Sequence, residues 1–465
     1  MLDRTTAERP ATTEVLADAM ATLDYTDLPS PVIAKVKELL LDSLGNIISG
    51  SLEQPAQILA RVLTRQGGEG EASAVATDKM LPAVHAGFIN GVSAHSVEMD
   101  DAHHGALTKT GSVIIPASMA MGEATAADGK KFIAAIVAGY ETMIRIGLAV
   151  NPGHRTRGYH STGTVGVFGA AASAGKLLGF NGRKLASAFG VAGTQASGLM
   201  AFQNYPSMIK QLNVGKAVYN GLLAAQLVRE GFTGPINILE SAEGFGRAFT
   251  DELHLEELTR GLGREYRILE VGYKPHAACR WAHSAIDAIA EIVQRTGVKA
   301  DDVDHIDIYA ATLGVRQTSE RQPKSLMDAR GFSTPFGVAA AFVLERSRIS
   351  VHDFKTAWAN PKVMNLSKRI VMHEDAQFGT ASIGSRVEVV CKSGERLAAT
   401  VTHPKGEPEN PITPRELQDK WHMLVDPVIG ERRAKEISEI VAGCERLPII
   451  DVLTAILPST ARQAA

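Results

Sequence analysis

The chain has 465 residues, enough for more than one domain, and its 45% hydrophobic and 21% charged residues are ordinary globular values. This composition excludes a disordered chain, a collagen-like fibre and a coiled coil. The 48 Lys and Arg side chains against 51 Asp and Glu give a net charge of -3, which lacks the basic excess of a nucleic-acid-binding protein.

Cysteine usage and the N-terminal sequence indicate a reducing compartment. Cys279, Cys391 and Cys444 are too few and too scattered for a disulfide framework or a thiolate metal cage. The N-terminus carries charges and a proline where a signal peptide needs an apolar run, and no stretch of about 18 apolar residues follows. The sequence therefore predicts a soluble, cytoplasmic protein without a membrane partner.

Residues 1–271 are predicted to be mostly helical, because apolar side chains recur at intervals of three and four. One amphipathic helix is predicted after Pro31 with Gly50 just past its end, since proline at the first turn and glycine past the last are typical helix bounds. Further helices are predicted at 54–65, 81–98, 114–126, 130–150, 163–177, 183–198 and 213–231.

The pattern changes after residue 271. Residues 303–311 alternate between apolar and polar side chains, which predicts a strand, and residues 387–401 predict a strand, a turn and a second strand. Helical periodicity returns from Pro411. The predicted fold is mainly α with an α+β second domain, in which residues 1–271 and 409–465 form a helical domain and residues 272–408 an inserted α+β domain.

Ionisable side chains are densest in residues 98–112. This segment contains Glu98, Asp100, Asp101, His103, His104, Thr108 and Lys109. In an active-site loop, the favoured interpretation, carboxylates would tune the pKa of the imidazoles and Lys109 would neutralise an anionic substrate. A solvated helix end is the main alternative. A metal-binding loop is less favoured, because the spacing matches no zinc or calcium motif.

Two further clusters lie at predicted helix starts. Arg155, Tyr159 and His160 precede a helix of small residues, whose N-terminus would favour an anion. For His160, catalysis and a structural role are equally weighted. Lys210 stands near the start of a later helix, and its spacing alone is more typical of a surface lysine.

A fourth cluster, Lys274, His276, Arg280 and His283, falls at the proposed domain junction, where clefts form. No nucleophile elbow or nucleotide-binding loop is present, and Cys279 as a nucleophile rests only on nearby histidines. Imidazoles, cations and a few carboxylates without a redox signature suit proton transfer on a small polyanionic acid.

Five ordered segments strongly resemble the MmgE/PrpD family, and the likeness covers nearly the whole chain. The segments are NGVSAHSVEMDDAHH, GYHSTGTVGVFGAAASAGKLLG, SMIKQLNVGKA, GYKPHAACRWAHSAIDA and HPKGEPENPITPRELQDKW. Family members include 2-methylcitrate dehydratase, cis-aconitate decarboxylase and iminodisuccinate epimerase. The resemblance implies a helical domain built from both chain ends, an α+β lid domain, a homodimer, and no metal or organic cofactor.

The resemblance also assigns site residues. The family's acidic positions fall on the stretch from Glu98 to Asp101, its histidine on His160, its lysine on Lys210, and its lid lysine on Lys274. The predicted catalytic residues are therefore His160, Lys210, Glu98 and Asp101. The predicted substrate-binding residues are Lys109, Thr108, Arg155, Tyr159, Lys274 and His276.

Two positions depart from the family pattern. The chain reads Thr108-Lys109-Thr110-Gly111 where many relatives have a His-Pro segment, so a histidine important in the decarboxylase is absent. Phe336 stands where that decarboxylase has a tyrosine. Both departures disfavour decarboxylation of cis-aconitate.

The leading hypothesis is a cofactor-independent lyase of the dehydratase type that removes a proton α to a carboxylate of a small di- or tricarboxylate. The alternatives are an epimerase or racemase, or a decarboxylase, of a related acid. Less favoured are a non-catalytic binding protein and a metal-dependent hydrolase using Asp100, Asp101, His103 and His104. The sequence does not assign which residue is the base and which is the acid.

Overall fold

The computed structural model describes residues 11–205, 207–450 and 455. Its first part is helical. The helices are α1 Thr12–Thr22, α2 Ser30–Gly50, α3 Gln54–Gln66, α4 Ala83–His95, α5 Gly111–Ala124, α6 Gly129–Val150, α7 Gly153–Thr156, α8 Ser161–Leu177, α9 Gly182–Gly193, α10 Ile209–Arg229, α11 Phe245–Phe249 and α12 Glu256–Thr259. A two-stranded antiparallel ribbon joins β1 Ala72–Ser73 to β2 Met80–Leu81 between α3 and α4.

Helix α8 lies at the centre of this part, in contact with α5, α6, α9 and α10. Its small residues allow the neighbouring helices to approach closely. A Cβ at Gly169 would lie 2.8 Å from the Met143 Cβ and 2.9 Å from the Gly139 carbonyl oxygen of α6. Larger side chains there would push α6 away from α8, so the glycine and alanine content of α8 is required by packing.

Helix α6 bears on the prediction that the chain has no stretch of about 18 apolar residues. It contains an 18-residue window with a mean hydropathy of 1.6, which by length and composition alone could cross a membrane. The window is 94% buried inside the protein, against α5 and α8. Burial on all sides accounts for its apolar character, as in the core helix of a large domain.

The second part combines short helices with a four-stranded sheet. Its helices are α13 His283–Thr296, α14 Thr312–Thr318, α15 Leu326–Phe332, α16 Thr334–Val343, α17 Val351–Trp358 and α18 Pro361–Ser367. Its strands are β3 Val303–Ala310, β4 Ile370–Glu374, β5 Ser385–Cys391 and β6 Arg396–Val401. The sheet order is β4-β3-β5-β6, with β3 parallel to β4 and antiparallel to β5. Strand β3 and the β5–β6 hairpin were predicted, whereas β4 was not.

The last helices, α19 Pro414–Ile429 and α20 Glu431–Ala442, pack on α2 of the first part. Gly45 makes room for this contact, since a Cβ there would lie 3.3 Å from Leu424 and 3.4 Å from Trp421. The buried Lys420 ammonium pairs with Asp42 on α2. The fold is mainly α with an α+β region, as predicted. The return of the chain to the helical domain near residue 409 stays a prediction.

Candidate active site

A cavity of about 90 Å³ lies where the helical and mixed parts meet. The helical part contributes the loop after α4, the start of α8, and the start of α10. The mixed part contributes residues 279–281, α14 and two loop residues. The ionisable side chains on its walls are His95, Glu98, His103, His104, Lys109, Arg155, His160, Lys210, Cys279, Arg280 and Glu407.

Glu98 occupies the loop after α4 and binds two buried lysines. Its backbone has a φ of 59°, a left-handed conformation that is uncommon for a residue with a side chain. Its carboxylate pairs closely with Lys210, and the Lys274 Nζ lies 3.6 Å from its second oxygen. Burial alone would raise the pKa of Glu98, but Lys210, His95 and Lys274 together lower it to about 2.

Lys210 remains a cation because of this pairing. Burial opposes its charge, but Glu98 outweighs that effect and raises the pKa of Lys210 above its usual value. The Phe332 ring lies 5.8 Å from the Lys210 Nζ and covers it on one side. Lys210 is therefore a fixed positive charge in the cavity wall, suited to stabilising negative charge on a substrate.

Asp100 lies below the cavity wall and receives three hydrogen bonds. Its donors are the Lys274 Nζ at 3.0 Å, the Ser112 hydroxyl at 2.6 Å and the His95 Nδ1 at 2.6 Å. Burial opposes ionisation, but His95 and Lys274 hold the pKa of Asp100 well below its usual range. Asp100 is thus ionised and fixes the orientation of the His95 ring.

His160 precedes the first turn of α8 and faces the cavity. Its Nδ1 lies 3.4 Å from the Asn213 side-chain nitrogen, and the Phe202 ring packs edge-on with centroids 5.2 Å apart. Burial, followed by the nearby His95 and Lys210, places the pKa of His160 well below its usual value. His160 is consequently neutral near pH 7.

Lys109 and Arg155 carry charges that no carboxylate neutralises. Among residues 11–205 and 207–450, the Lys109 Nζ has no hydrogen-bond or ion-pair partner, and Arg155 donates only to the Gln317 amide oxygen, at 3.1 Å. Burial, followed by repulsion from Lys274, lowers the pKa of Lys109 to about 8. These two cations are available to an anion in the cavity.

Of the ten predicted site residues, Glu98, His160, Lys210, Lys109 and Arg155 line the cavity. Lys274 does not reach it. The Lys274 side chain is fully buried, and its Nζ donates to the Glu98 carbonyl oxygen at 2.9 Å as well as to Asp100. Lys274 therefore holds the carboxylates in place and has no open position for a substrate.

Four further predicted residues lie outside the cavity. Asp101 accepts from the Tyr140 hydroxyl at 2.6 Å and from the Gly111 N–H at 2.7 Å, on the interior side of the loop. Thr108 bonds to the Thr110 hydroxyl at 3.0 Å. The other two are Tyr159, which packs 4.7 Å from the Phe249 ring, and His276, whose Nε2 bonds to Asp287 at 2.8 Å. Neighbours in sequence, such as Tyr159 and His160, thus differ in whether their side chains line the cavity.

Sequence reasoning missed His95 and Glu407. His95 ends α4, five residues before Asp100, a separation that does not place two side chains on one helix face. Only the loop brings the two together. Glu407 comes from a distant turn, where it pairs with Arg280 at the cavity wall. Both residues lie in segments that carry the family resemblance, which was the only available signal.

His103, on the loop after α4, makes hydrogen bonds that do not involve Glu98 or Asp100. His103 accepts from the Ala106 N–H at 3.0 Å through Nδ1 and contacts Glu270 at 3.0 Å through Nε2, so both of its nitrogens are used. Within the described ranges, no group of three or more His, Cys, Asp or Glu side chains is arranged to hold a metal ion.

Two family models match this chain, and their bounds follow the two parts of the fold. The MmgE/PrpD N-terminal domain matches residues 14–258, and the MmgE/PrpD C-terminal domain matches residues 276–446. The chain belongs to the MmgE/PrpD family. The C-terminal match extends through α19 and α20, which pack on the helical part of the fold.

Several relatives are similar over almost their whole length. The cis-aconitate decarboxylase-like protein oryM of Aspergillus oryzae is 29% identical over 96% of this chain and 97% of its own. The cis-aconitate decarboxylase of Aspergillus terreus is 27% identical over 93% and 92%. The human cis-aconitate decarboxylase is 25% identical over 96% and 94%.

The two departures from the family pattern have different structural settings. Phe336 is fully buried and stacks on Phe354 with ring centroids 6.1 Å apart, outside the cavity. Phe336 thus does not line the cavity, and its bearing on decarboxylation stays a prediction. Lys109, in contrast, lines the cavity, so the segment that departs from the family pattern supplies a cation to the wall.

Proposed function

We propose that this protein is a cofactor-independent lyase that acts on a small di- or tricarboxylate. The observation that carries the proposal is the pairing of two uncompensated cations, Lys109 and Arg155, with the neutral imidazole of His160 in one buried cavity. Cations bind the carboxylates of such an acid, and a neutral imidazole takes part in proton transfer near pH 7.

Substrate binding is assigned to Lys109 and Arg155. A substrate carboxylate at these side chains would complete the bonding that the protein leaves open, in a site where burial strengthens charge–charge attraction. Two cations suit an acid with at least two carboxylates. The amide of Gln317 orients the Arg155 guanidinium toward this position.

Charge stabilisation is assigned to Lys210. Removing a proton next to a carboxylate places negative charge on its oxygens, and a fixed ammonium lowers the free energy of that enolate. Glu98 keeps Lys210 charged and oriented. The enolate can then expel a group from the β-carbon, which is the dehydratase-type reaction, or take its proton back on either face.

Decarboxylation is the second candidate, and the relatives favour it. The similar proteins from the two Aspergillus species and from human are named as cis-aconitate decarboxylases or as similar to them. Loss of carbon dioxide from a polycarboxylate also leaves a carbanion that a cation stabilises, so the same Lys210 serves both reactions. One scaffold can host both, since chemistry depends on a few cleft residues.

Proton NMR in D2O tests the proposal with a panel of citrate, cis-aconitate, tartrate and iminodisuccinate. We expect alkene formation or hydration for a dehydratase, carbon dioxide release for a decarboxylase, and deuterium entry without net elimination for an epimerase. Lys210→Ala should abolish the reaction. Lys216→Ala, on the same helix but outside the cavity, is the matched control and should keep it. Absence of any reaction and of any carboxylate binding would contradict the proposal.

A further inference from the structure

His95 is a buried imidazole with one nitrogen bonded and the other open. Its side chain is fully buried, and its Nδ1 lies 2.6 Å from the Asp100 carboxylate. Its Nε2 is buried without a hydrogen-bond partner, although the ring lines the cavity. Buried polar atoms in native proteins are nearly always bonded. An unpartnered one at a cavity wall is therefore placed to bond to a substrate in the cavity.

The bonding of Asp100 fixes where the His95 proton lies. An ammonium, Lys274, and a hydroxyl, Ser112, donate to Asp100 in addition to His95. A carboxylate in this setting is ionised and can only accept hydrogen bonds. The hydrogen between His95 and Asp100 therefore belongs to Nδ1. In its neutral form the ring then has its lone pair on Nε2, at the cavity, whereas the imidazolium is the form whose charge lowers the pKa of Asp100 and Glu98.

His160 has the opposite arrangement. The Asn213 side-chain nitrogen lies 3.4 Å from the His160 Nδ1 and 3.3 Å from the Leu199 carbonyl oxygen. An amide oxygen cannot bond to a carbonyl oxygen, so the nitrogen faces both atoms and donates. His160 Nδ1 therefore accepts, and its Nε2 carries the proton. The two rings have centroids 6.3 Å apart and offer a lone pair and an N–H to the same cavity.

The lysines near His95 do not compete for the role of base. Lys210 is held as an ammonium by its ion pair with Glu98, and Lys274 by its bonds to Glu98 and Asp100. An ammonium has no lone pair to accept a proton. Lys109 has no such partner, but as a cation it is assigned to a substrate carboxylate. Among His95, His160 and these three lysines, only His95 is oriented as a base by a carboxylate.

We propose that His95 is the general base of the reaction and that Asp100 is its positioning residue, an inference that rests on the proposed function. His95 Nε2 takes the proton from the carbon next to a substrate carboxylate, and the C–H electron pair enters the enolate beside Lys210. In elimination this pair forms the C=C bond, and the β-hydroxyl leaves with its bonding electrons. It becomes water with a proton from the Lys210 ammonium. Asp100 stabilises the His95 imidazolium.

Deuterium exchange tests the base directly. The rate of deuterium exchange into the wild-type substrate is measured in D2O for His95→Gln, His160→Gln and His85→Gln. His85 lies on the same helix α4 but outside the cavity. We expect His95→Gln to slow exchange by about 10²–10⁴-fold with little change in KM, as for loss of a general base. His85→Gln should match the wild type. Exchange at the wild-type rate in His95→Gln would overturn the proposal.

Asp100→Asn tests the positioning role. We expect a lower kcat with little change in KM, together with a shift of the acid limb of the pH profile, because the amide no longer stabilises the imidazolium. A merely structural role would lower the stability and leave the pH profile unchanged. That result would overturn the positioning assignment.

The tautomers provide a readout that does not depend on variants folding. In wild-type protein labelled with ¹⁵N-histidine, we expect the neutral His95 to carry its proton on Nδ1 and His160 on Nε2. A proton on His95 Nε2 in the neutral ring would overturn the proposal. A wild type that reacts with no acid of the panel overturns the proposed function and the base with it. A wild type that only releases carbon dioxide, without exchange at carbon before turnover, overturns the base alone.

Discussion

Glu98 and Asp101 are buried carboxylates three residues apart on one loop, yet their surroundings differ. Glu98 faces the cavity between Lys210 and Lys274, which lower its pKa to about 2. Asp101 faces the interior, where burial outweighs its hydrogen bonds to Tyr140 and Gly111 and raises its pKa to about 7. Burial is common to both residues, so the neighbouring cations decide which carboxylate carries charge.

This difference divides the loop into a chemical side and a structural side. On the cavity side, lysines and His95 keep Glu98 and Asp100 ionised. On the interior side, a Cβ at Gly111 would lie 2.6 Å from the Asp101 carboxylate and 2.7 Å from the Tyr140 hydroxyl. The tight interior packing holds the loop in place, and the charged side can then present a fixed set of groups to a substrate.

The largest expected effect comes from removing the cation that joins the two cavity-side carboxylates. Lys274→Met should lower the free energy of unfolding by about 3–5 kcal/mol, because Asp100 and Glu98 lose a buried partner. Urea denaturation measures this change. Lys362→Met, which breaks an exposed pair with Asp301, is the control and should cost at most about 1 kcal/mol. Equal effects would contradict the assignment of Lys274.

Arg155 lies at the cavity and Arg157, two residues later, lies at the surface. The two arginines therefore compare a cavity charge with a surface charge. Arg155→Ala should raise KM about 100-fold, since a charge-assisted bond to a substrate carboxylate is lost. Arg157 pairs with the exposed Asp251 at 3.1 Å, and Arg157→Ala should leave KM unchanged. Steady-state kinetics on the identified substrate measure both. A similar KM in the two variants would indicate that Arg155 does not bind substrate.

Asp101→Asn tests the interior side through the pH dependence of stability. The unfolded chain releases the Asp101 proton near pH 4, whereas the folded protein keeps it up to about pH 7. Asp101 therefore lowers the free energy of unfolding as pH rises through this interval, by at most about 1.4 kcal/mol per pH unit. Asparagine removes this contribution.

Denaturation of both proteins from pH 4 to pH 8 measures it as a difference, which cancels the other titrating groups. We expect the stability of Asp101→Asn relative to the wild type to rise between pH 4 and pH 7 and then to level off. A constant difference across the range would show that Asp101 is ionised in the folded protein at low pH.

The smallest expected effect concerns Lys109, whose pKa is lowered to about 8. Above that pH the free enzyme loses this charge, so kcat/KM should fall by about tenfold for each further pH unit. Lys109→Arg, which stays charged, should remove this fall. Lys216→Arg, outside the cavity, should keep it. A fall that persists in Lys109→Arg would assign it to another group.

Much of the helical architecture follows from local sequence signals. Helices α6 and α8 begin and end within two residues of their predicted bounds, because apolar and small residues recur regularly along them. Strand β3 shows the alternation of a half-buried strand. Strand β4 has only five residues with a less regular pattern, IVMHE, and its position depends on parallel pairing with β3.

The site could be predicted only in part. Lys109, Lys210 and the segment that carries Arg155 and His160 are far apart in sequence, and only the fold brings them together. The loop after α4 offered adjacent acids, but which of them faces the cavity depends on the left-handed turn at Glu98 and on the packing of Gly111. His95 lacked any spacing signal, because its partner Asp100 follows beyond the end of the helix.

A crystal structure with tricarballylate, an unreactive tricarboxylate, tests the central claim most directly. We expect the ligand in the cavity, with one carboxylate on the Lys109 ammonium and another on the Arg155 guanidinium, close to the His95 and His160 rings. Tricarballylate bound elsewhere, or a cavity that stays closed to it at saturating concentration, would contradict the assignment of this cavity as a carboxylate-binding active site.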